Sequence, residues 1–505
     1  MNSNRFNLKT IFLFIVQLLI FGSIIAGIAI LILNVSDKYI YLFVFSFYLL
    51  NCVFVLLVYK QKRQHDSKFS WTYFILLLPF FGHILFFIYG RVFVNKNEIK
   101  ISKDPKYNLT TYLSALNLDH KKLNQSPIKS LEKINDAIVL PASFKFFHEG
   151  YRFYDKLLKS LREAEKSIYI VTYIIKKSEI SNEFYEILYQ KAQQGVKIKW
   201  LVDDFGAMLS QKWKLRSLNK HPNIEISVIG KIYYPFINSA SFTRNHQKFI
   251  IIDNNKVYSG GNNISDEYAS LSKKYGHWID LNYQITGPYI NEYILHFIKF
   301  WKVITNKDII IESSLYYEDS TQIKHNSQAY LITESPSFLY SDAEALWIKL
   351  FGSAKQSIKI CTPYFAVTEA MKKQLIIALK SGVDVTIYFP GLPDKKTVHK
   401  IGLFQLRQYK KYGLKIKIYK HHFLHTKAGI IDNKIGWIGT SNMDSRSMYS
   451  QYETIDVITG KAISNLKKIF AHYDQQCDPV ENIAQMDKDP NVIEKFVFDL
   501  TKPLI

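Results

Sequence analysis

The chain of 505 residues carries a formal net charge of +22 and three cysteines. That length holds two or three domains with full cores, and the charge points to anionic partners, acidic lipid or nucleic acid. Cys52, Cys361 and Cys477 are too few for a disulfide framework and read as reduced thiols of a cytosolic face.

Residues 11 to 33 are apolar apart from Gln17 and Ser23, long enough to cross a bilayer core of roughly 30 Å, and a second apolar run, 39 to 58, follows a short link. The spacing predicts a helical hairpin rather than a cleaved signal peptide. Arg5 and Lys9 precede it, Lys60, Lys62, Arg63 and Lys68 follow it, and the link holds Asp37 and Lys38. The positive-inside rule therefore puts both ends in the cytoplasm, making a multi-pass cell-membrane protein with its remaining chain on that side. A third apolar run, 71 to 90, is interrupted by Pro79 and Gly82 and has basic flanks on both sides. That pattern favours a re-entrant or interfacial segment. Residues 1–91 thus form a membrane-anchoring region, and the polar stretch 92–140 reads as a linker.

From residue 141 helices and strands alternate, twice over. Ser167 to Thr172 and Val196 to Leu201 read as buried strands around a helix from about Asn182 to Gln194; Ser357 to Thr362 and Val383 to Tyr388 repeat this around a helix near 368 to 381. The fold class is α/β: two pseudo-symmetric β-α-β-α-β halves, 141–320 and 321–480, with mixed, largely parallel sheets flanked by helices, then a tail, 481–505.

Each half carries the same signature, H-x-K-x4-D-x6-G-[GT]-x-N. In the first it is His246, Lys248, Asp253, Gly260-Gly261 and Asn263; in the second His425, Lys427, Asp432, Gly439-Thr440 and Asn442. A His and a Lys at i and i+2 of a strand share one face. The apolar run after them is the rest of that strand, the Asp sits at its turn, and the glycine return brings an Asn amide back. A single H-x-K would be read as a solvated pair, and lysine is no usual zinc ligand. Two identical copies instead make a phosphate site. Joined across a pseudo-two-fold axis, they place His246 and His425 on opposite sides of one phosphate, with Lys248, Lys427, Asn263 and Asn442 around its oxygens. The duplication predicts one active site.

A reactive histidine also needs a carboxylate to fix its tautomer. After the first signature the candidates are Asp266, Glu267 and Asp280; after the second, Glu453. Asp253 and Asp432 belong to the catalytic signature but read as structural supports.

The paired signature resembles that of the phospholipase D superfamily. Gly261 and Thr440 replace its usual serine, at a position where backbone is expected to matter more than side chain. Pro79 to Gly82, Tyr89 to Arg91, Arg244-Asn245-His246, Thr362-Pro363-Tyr364-Phe365, Pro390 to Asp394 and Gly439 to Ser447 resemble bacterial cardiolipin synthases, over about residues 39 to 475. The resemblance favours Asp280 and Glu453 as the orienting carboxylates. It implies phosphatidyl transfer between two phosphatidylglycerol molecules through a phosphohistidine, with no metal or other cofactor. We read His246 as nucleophile and His425 as acid and base. Phosphatidylglycerol, anionic lipids and the bilayer are the expected partners, and no nucleic-acid module accompanies the charge. Thr172-Tyr173, Lys176-Lys177 and Met448 to Gln451 depart from the resemblance and bear on the acceptor. The alternatives are a phospholipase D using water or another acceptor, a membrane-tethered nuclease, or an inactive lipid-binding scaffold. Tyr233 to Phe236 reads as an interfacial aromatic patch or as core.

Overall fold

The computed structural model of the chain describes residues 15, 18–19, 22–23, 26–27, 30, 33, 37–61, 63, 65–78, 80–92, 94–116, 125–135, 137–207, 209–233, 238–271, 276–317, 325–483, 486 and 490–501. Most of the expected helix 11–33, together with Pro79 and Tyr234 to Phe236, lies outside them. The chain forms two compact units. One runs to Val94 and includes Gly230–Thr243; the other comprises Asn95–Ile229 and Arg244–Ile505.

In the first unit a helix covers Asp37–Lys60, and its Tyr39–Lys60 portion is long and apolar enough to cross a membrane. Tyr41, Leu42, Val44, Phe45 and Tyr48 stand exposed along it, an arrangement that suits lipid and not water. The third apolar run is not one helix but two, His65–Leu77 and Phe81–Tyr89. Between them Phe80 adopts φ 61°, and Gly82 lies against the carbonyl of Phe74 and the Cα of Ile75, where a Cβ would collide. At 1.5 Å per residue neither 13 nor 9 residues cross a hydrocarbon core of about 30 Å. The Arg63 guanidinium donates to the Gly90 carbonyl, so the folded run begins and ends at the same place.

The second unit is built on one long sheet with two separate two-stranded ladders beside it. Its first half contributes β1 (Leu140–Phe147), β2 (Ser167–Thr172), β3 (Lys197–Asp203), β4 (Ile224–Ile229), β5 (Arg244–Asn245), β6 (Phe249–Ile252), β7 (Lys256–Gly260), β8 (Trp278–Ile279) and β9 (Asn282–Thr286). The second contributes β10 (Ser327–Glu334), β11 (Ser357–Cys361), β12 (Phe365–Ala366), β13 (Asp384–Pro390), β14 (Lys415–Tyr419), β15 (Phe423–Leu424), β16 (Ala428–Ile431), β17 (Ile435–Gly439), β18 (Met443–Asp444), β19 (Gln451–Gly460) and β20 (Cys477–Pro479). The order β1-β9-β7-β6-β2-β3-β4 of one half repeats as β10-β19-β17-β16-β11-β13-β14 in the other. The halves join where β1 runs antiparallel to β10, with Leu140 opposite Ala329.

The sheet is mixed, as expected, but not largely parallel. Among the described residues β2-β3-β4, β11-β13-β14 and the short β5-β19 pair run parallel within it; the other strand pairs, including those at the join, are antiparallel. The reason is local. Asp253-Asn254 and Asp432-Asn433 all adopt positive φ, between 50° and 56°, which turns β6 back onto β7 and β16 back onto β17 as hairpins.

Both faces of the sheet are covered. On β2, Ile168 and Ile170 enter one core while Tyr169 and Val171 enter another, as strand alternation requires. The helix Gly150–Arg162 buries Phe153, Leu157, Leu158 and Leu161 on one side, and Ile290–Thr305 buries Ile294, Phe297 and Trp301 on the other. At the middle of the sheet Asp456 of β19 accepts hydrogen bonds from the hydroxyls of Tyr283, Tyr289 and Tyr293 of the first half. This buried carboxylate ties one half to the other.

Candidate active site

Two short ladders carry each signature across into the opposite half. β5 pairs with the start of β19, and the His246 N–H donates to the Tyr452 carbonyl at 2.9 Å. β15 pairs with β8, and the His425 N–H donates to the Ile279 carbonyl at 2.7 Å. The residue after each acceptor is a carboxylate. Glu453 meets Nδ1 of His246 at 2.8 and 3.0 Å, and Asp280 meets Nδ1 of His425 at 2.5 Å. The pairing is therefore crossed. Counting along the chain associates each carboxylate with the histidine of its own half; the fold delivers it to the other.

The residues of each H-x-K lie between two strands, because the partners change from β19 to β2 and β7 at the first signature and from β8 to β11 and β17 at the second, yet they keep a strand's alternation. Gln247 and Thr426 point away, buried, to His296 and to the Tyr473 hydroxyl at 3.1 and 2.9 Å. Each lysine turns beside its histidine: Lys248 Nζ donates to the His246 carbonyl at 2.7 Å, and Lys427 donates to that of His425. An ammonium has three donors, so this bond leaves capacity for a ligand oxygen.

Burial and neighbouring charge set the protonation states. Desolvation lowers His246 to about 4 against the pull of Glu453, and desolvation with Lys427 lowers His425 to about 3. Burial also lowers Lys248 to about 7 and moves Lys427 downward. Burial pushes Asp280 and Glu453 upward, but Lys427 and His425 hold the first below its ordinary value, and His246 and Lys248 do the same for the second. At neutral pH each carboxylate is an acceptor only, so Nδ1 carries the imidazole proton and Nε2 presents a lone pair.

The remaining signature residues separate. Asn263 and Asn442 are buried; Asn263 accepts from the Ile174 N–H at 3.1 Å and donates to the Tyr268 hydroxyl at 2.7 Å, while Asn442 leans on Ser447. Asp253 and Asp432 do not approach the histidines. Asp253 collects the N–H groups of Glu165, Lys166 and Ser167, and Asp432 those of Lys355, Gln356 and Ser357, locking the entries to β2 and β11. Asp266 caps the helix that starts at Glu179, and Glu267 pairs with Lys176 at 2.6 Å, so neither orients a histidine.

Side chain matters at positions 261 and 440, against the expectation for them. The Thr440 hydroxyl donates to Glu453 at 2.5 Å, whereas a Cβ on Gly261 would run into the carboxylate of Asp280. The two dyads are thus inequivalent.

Sequence reasoning missed the aromatic walls. Tyr173 sits edge-on to His246 at 5.1 Å, and Trp278 and Phe423 flank His425 at 4.9 and 5.3 Å. Two of them carried a signal: Trp278 stands two before Asp280, and Phe423 two before His425, the spacing that shares a strand face. Arg244, buried with Asp203 at 3.2 Å, was likewise passed over as chemistry and proves to be support. Among the described residues no group of three His, Cys, Asp or Glu is placed to hold a metal ion.

The family described as "Cardiolipin synthase, PLD-like domain" matches residues 157–301 and 347–475, and "Phospholipase D-nuclease N-terminal" matches residues 49–91. A protein named cardiolipin synthase in Staphylococcus aureus strain Mu50 is 32% identical over 438 residues, covering 84% of this chain and 88% of that one. One named cardiolipin synthase 2 in Staphylococcus epidermidis is 29% identical over 453 residues, covering 87% and 92%. The crystal structure of phosphatidylserine synthase from Haemophilus influenzae shares the fold, with a TM-score of 0.57 at 16% identity, covering 72% of this chain and 97% of that one.

Proposed function

Because the chain belongs to the cardiolipin synthases, phospholipid phosphatidyltransferases of the phospholipase D superfamily, we propose that it takes the phosphatidyl group from one phosphatidylglycerol, releases glycerol, and passes the group to a second, making cardiolipin. The observation that carries the reading is the crossed pair of dyads, His246 with Glu453 and His425 with Asp280, which makes one centre from two halves.

His246 Nε2 attacks phosphorus and the bond to the glycerol oxygen breaks as His425 gives that oxygen a proton. The acceptor hydroxyl then loses its proton to His425 and attacks phosphorus, breaking the bond to Nε2 and restoring the site. Both imidazoles are neutral in the free site, as the acid is not meant to be. A bound phosphodiester supplies the missing condition: its negative charge offsets Lys248 and Lys427, whose fields help hold the imidazoles unprotonated. Lys248, Lys427 and the amides of Asn263 and Asn442 stabilise charge on the phosphoryl oxygens.

The anchor fits a lipid substrate. We read the folded run 65–89 as re-entrant: Arg63 and Gly90 tie its two ends, and the positive-inside rule, which assigns the basic Lys60 and Arg63 to the cytoplasmic side, supports a return of the chain to that side. The test is incubation of the reconstituted protein with radiolabelled phosphatidylglycerol. Cardiolipin and free glycerol, both lost in His246→Ala and in His425→Ala, are expected. Phosphatidic acid alone would make it a hydrolase, and turnover of single-stranded DNA without lipid turnover would make it a nuclease.

A further inference from the structure

The loop Ser335 to Ser341 between β10 and the helix Asp342–Ser353 ends in three consecutive large apolar side chains turned to solvent. Phe338 is 42% exposed, Leu339 37% and Tyr340 79%. This is not a slack segment. Buried Glu334 accepts from the Ser335 N–H, the Ser341 hydroxyl and the Ala343 N–H, at 3.2, 2.6 and 3.0 Å, which pins the loop at both feet. A pinned loop that holds its apolar residues outward gains nothing from water.

A second buried carboxylate joins this loop to the helix Lys96–Ser102. Glu98 accepts from the hydroxyls of Ser335 and Ser337 at 2.7 and 2.6 Å, and the Asn95 N–H donates to Ser337 at 3.3 Å. That helix buries Glu98 and Ile101 and exposes Lys96 and Lys100, and Lys103, just past its end, extends them into a basic ridge at i, i+4 and i+7. The Glu98 and Asn95 contacts thus hold the segment that bears the apolar tip against the helix that bears the basic ridge. Asn95 follows Tyr89, the end of the apolar helices, by six residues, a tether of about 22 Å at most.

We propose that this patch, the Phe338-Leu339-Tyr340 tip with the Lys96, Lys100 and Lys103 ridge, docks the catalytic unit on the bilayer. The tip enters the boundary between headgroups and acyl chains, and the ridge rests on anionic headgroups. The charge selects lipid over an apolar protein face, and the tether keeps that lipid within reach. The proposal deepens the lipid-transferase reading and rests on it for its purpose. Glu98 also accepts from the Tyr452 hydroxyl at 2.9 Å, and Tyr452 precedes Glu453 and holds the His246 N–H. The docking surface is therefore braced directly against the strand that carries the His246 dyad.

The experiment uses the full chain with Cys52→Ser, Cys361→Ala and Cys477→Ser, carrying a spin label through Phe338→Cys or Tyr340→Cys, in vesicles containing phosphatidylglycerol. Gln193→Cys, on an exposed helical position, gives the aqueous reference. Labels at 338 and 340 should be more accessible to oxygen and less accessible to a water-soluble nickel complex than the reference. Accessibility equal to the reference overturns the proposal, and so does shielding from both reagents, which marks a protein partner. A second arm uses the Leu339→Glu/Tyr340→Glu pair, expected to lower turnover in vesicles at least about fivefold while turnover in detergent mixed micelles stays within about twofold. An equal loss in both would make the loop structural and overturn docking. The depth measurement needs no turnover, so an enzyme inactive on lipid would sink the transferase reading without touching it.

Discussion

His246 is held by Glu453, 2.8 Å from its Nδ1 and contributed by the opposite half of the chain. The reciprocal bond, Asp280 to His425, completes a centre that neither half possesses alone. Crossing the carboxylates makes the interface between the halves part of the chemistry. It predicts which residues are coupled: Glu453→Gln should lower kcat by about 10³-fold or more with little change in KM, and combining it with His246→Ala should cost almost nothing further. Steady-state kinetics on the two single variants and the double variant would check this. Additive losses would mean that Glu453 does not act through His246.

The protonation states predict a bell-shaped dependence of kcat/KM on pH. Attack needs neutral His246, lowered to about 4, so the rate rises as pH climbs through that value. Departure of the alcohol needs protonated His425, lowered to about 3 in the free site, and phosphate binding needs charged Lys248, lowered to about 7, so the rate falls on the alkaline side and falls more steeply above neutrality. Lys248→Arg keeps its charge at every accessible pH and should move the alkaline limb upward even where the maximum is lower. A limb that stays in place would assign it to another group.

Thr440 and Gly261 stand at matching positions and do different work. Thr440→Val keeps the shape and removes the donor to Glu453, for an expected loss of about 10- to 100-fold in kcat, equal to about 1.5–3 kcal/mol for a bond to a charged group. Gly261→Ala drives a Cβ into the Asp280 carboxylate and should cost at least as much. Both variants should remain folded at the assay temperature even where their unfolding temperature drops, which separates misplacement of a carboxylate from loss of the fold.

Asp456 gives a prediction about stability. Asp456→Ala strands the hydroxyls of Tyr283, Tyr289 and Tyr293 in the core between the halves, and the expected loss is about 3–5 kcal/mol, read from thermal or denaturant unfolding in detergent. A change below about 1 kcal/mol would show that the tyrosines find other partners.

The placement of each histidine beside its lysine was legible in the sequence because it is written in local spacing. Two residues on one strand face explain His246 with Lys248 and His425 with Lys427, and the repeated pattern is what leads to the expectation of one centre. The crossing of Glu453 and Asp280 was not legible. It depends on which strand edges meet, β5 with β19 and β15 with β8, and two-residue ladders leave no pattern in a chain. The antiparallel strands beside the join were misread for a similar reason: alternation of helix and strand suggests parallel pairing, while the hairpins hang on left-handed Asp253-Asn254 and Asp432-Asn433. Glu98 sat in what read as a linker, since a carboxylate there looks solvated until Ser335, Ser337 and Tyr452 close on it.

The measurement that bears most directly on a single shared centre is the stoichiometry of the covalent intermediate. Reconstituted enzyme is mixed with phosphatidylglycerol labelled in its phosphate, quenched in alkali to preserve phosphohistidine, and mapped by peptide. The account predicts at most one acid-labile phosphatidyl group per chain, on His246, absent from His246→Ala. Two groups per chain, or a label that survives in His246→Ala, would contradict it.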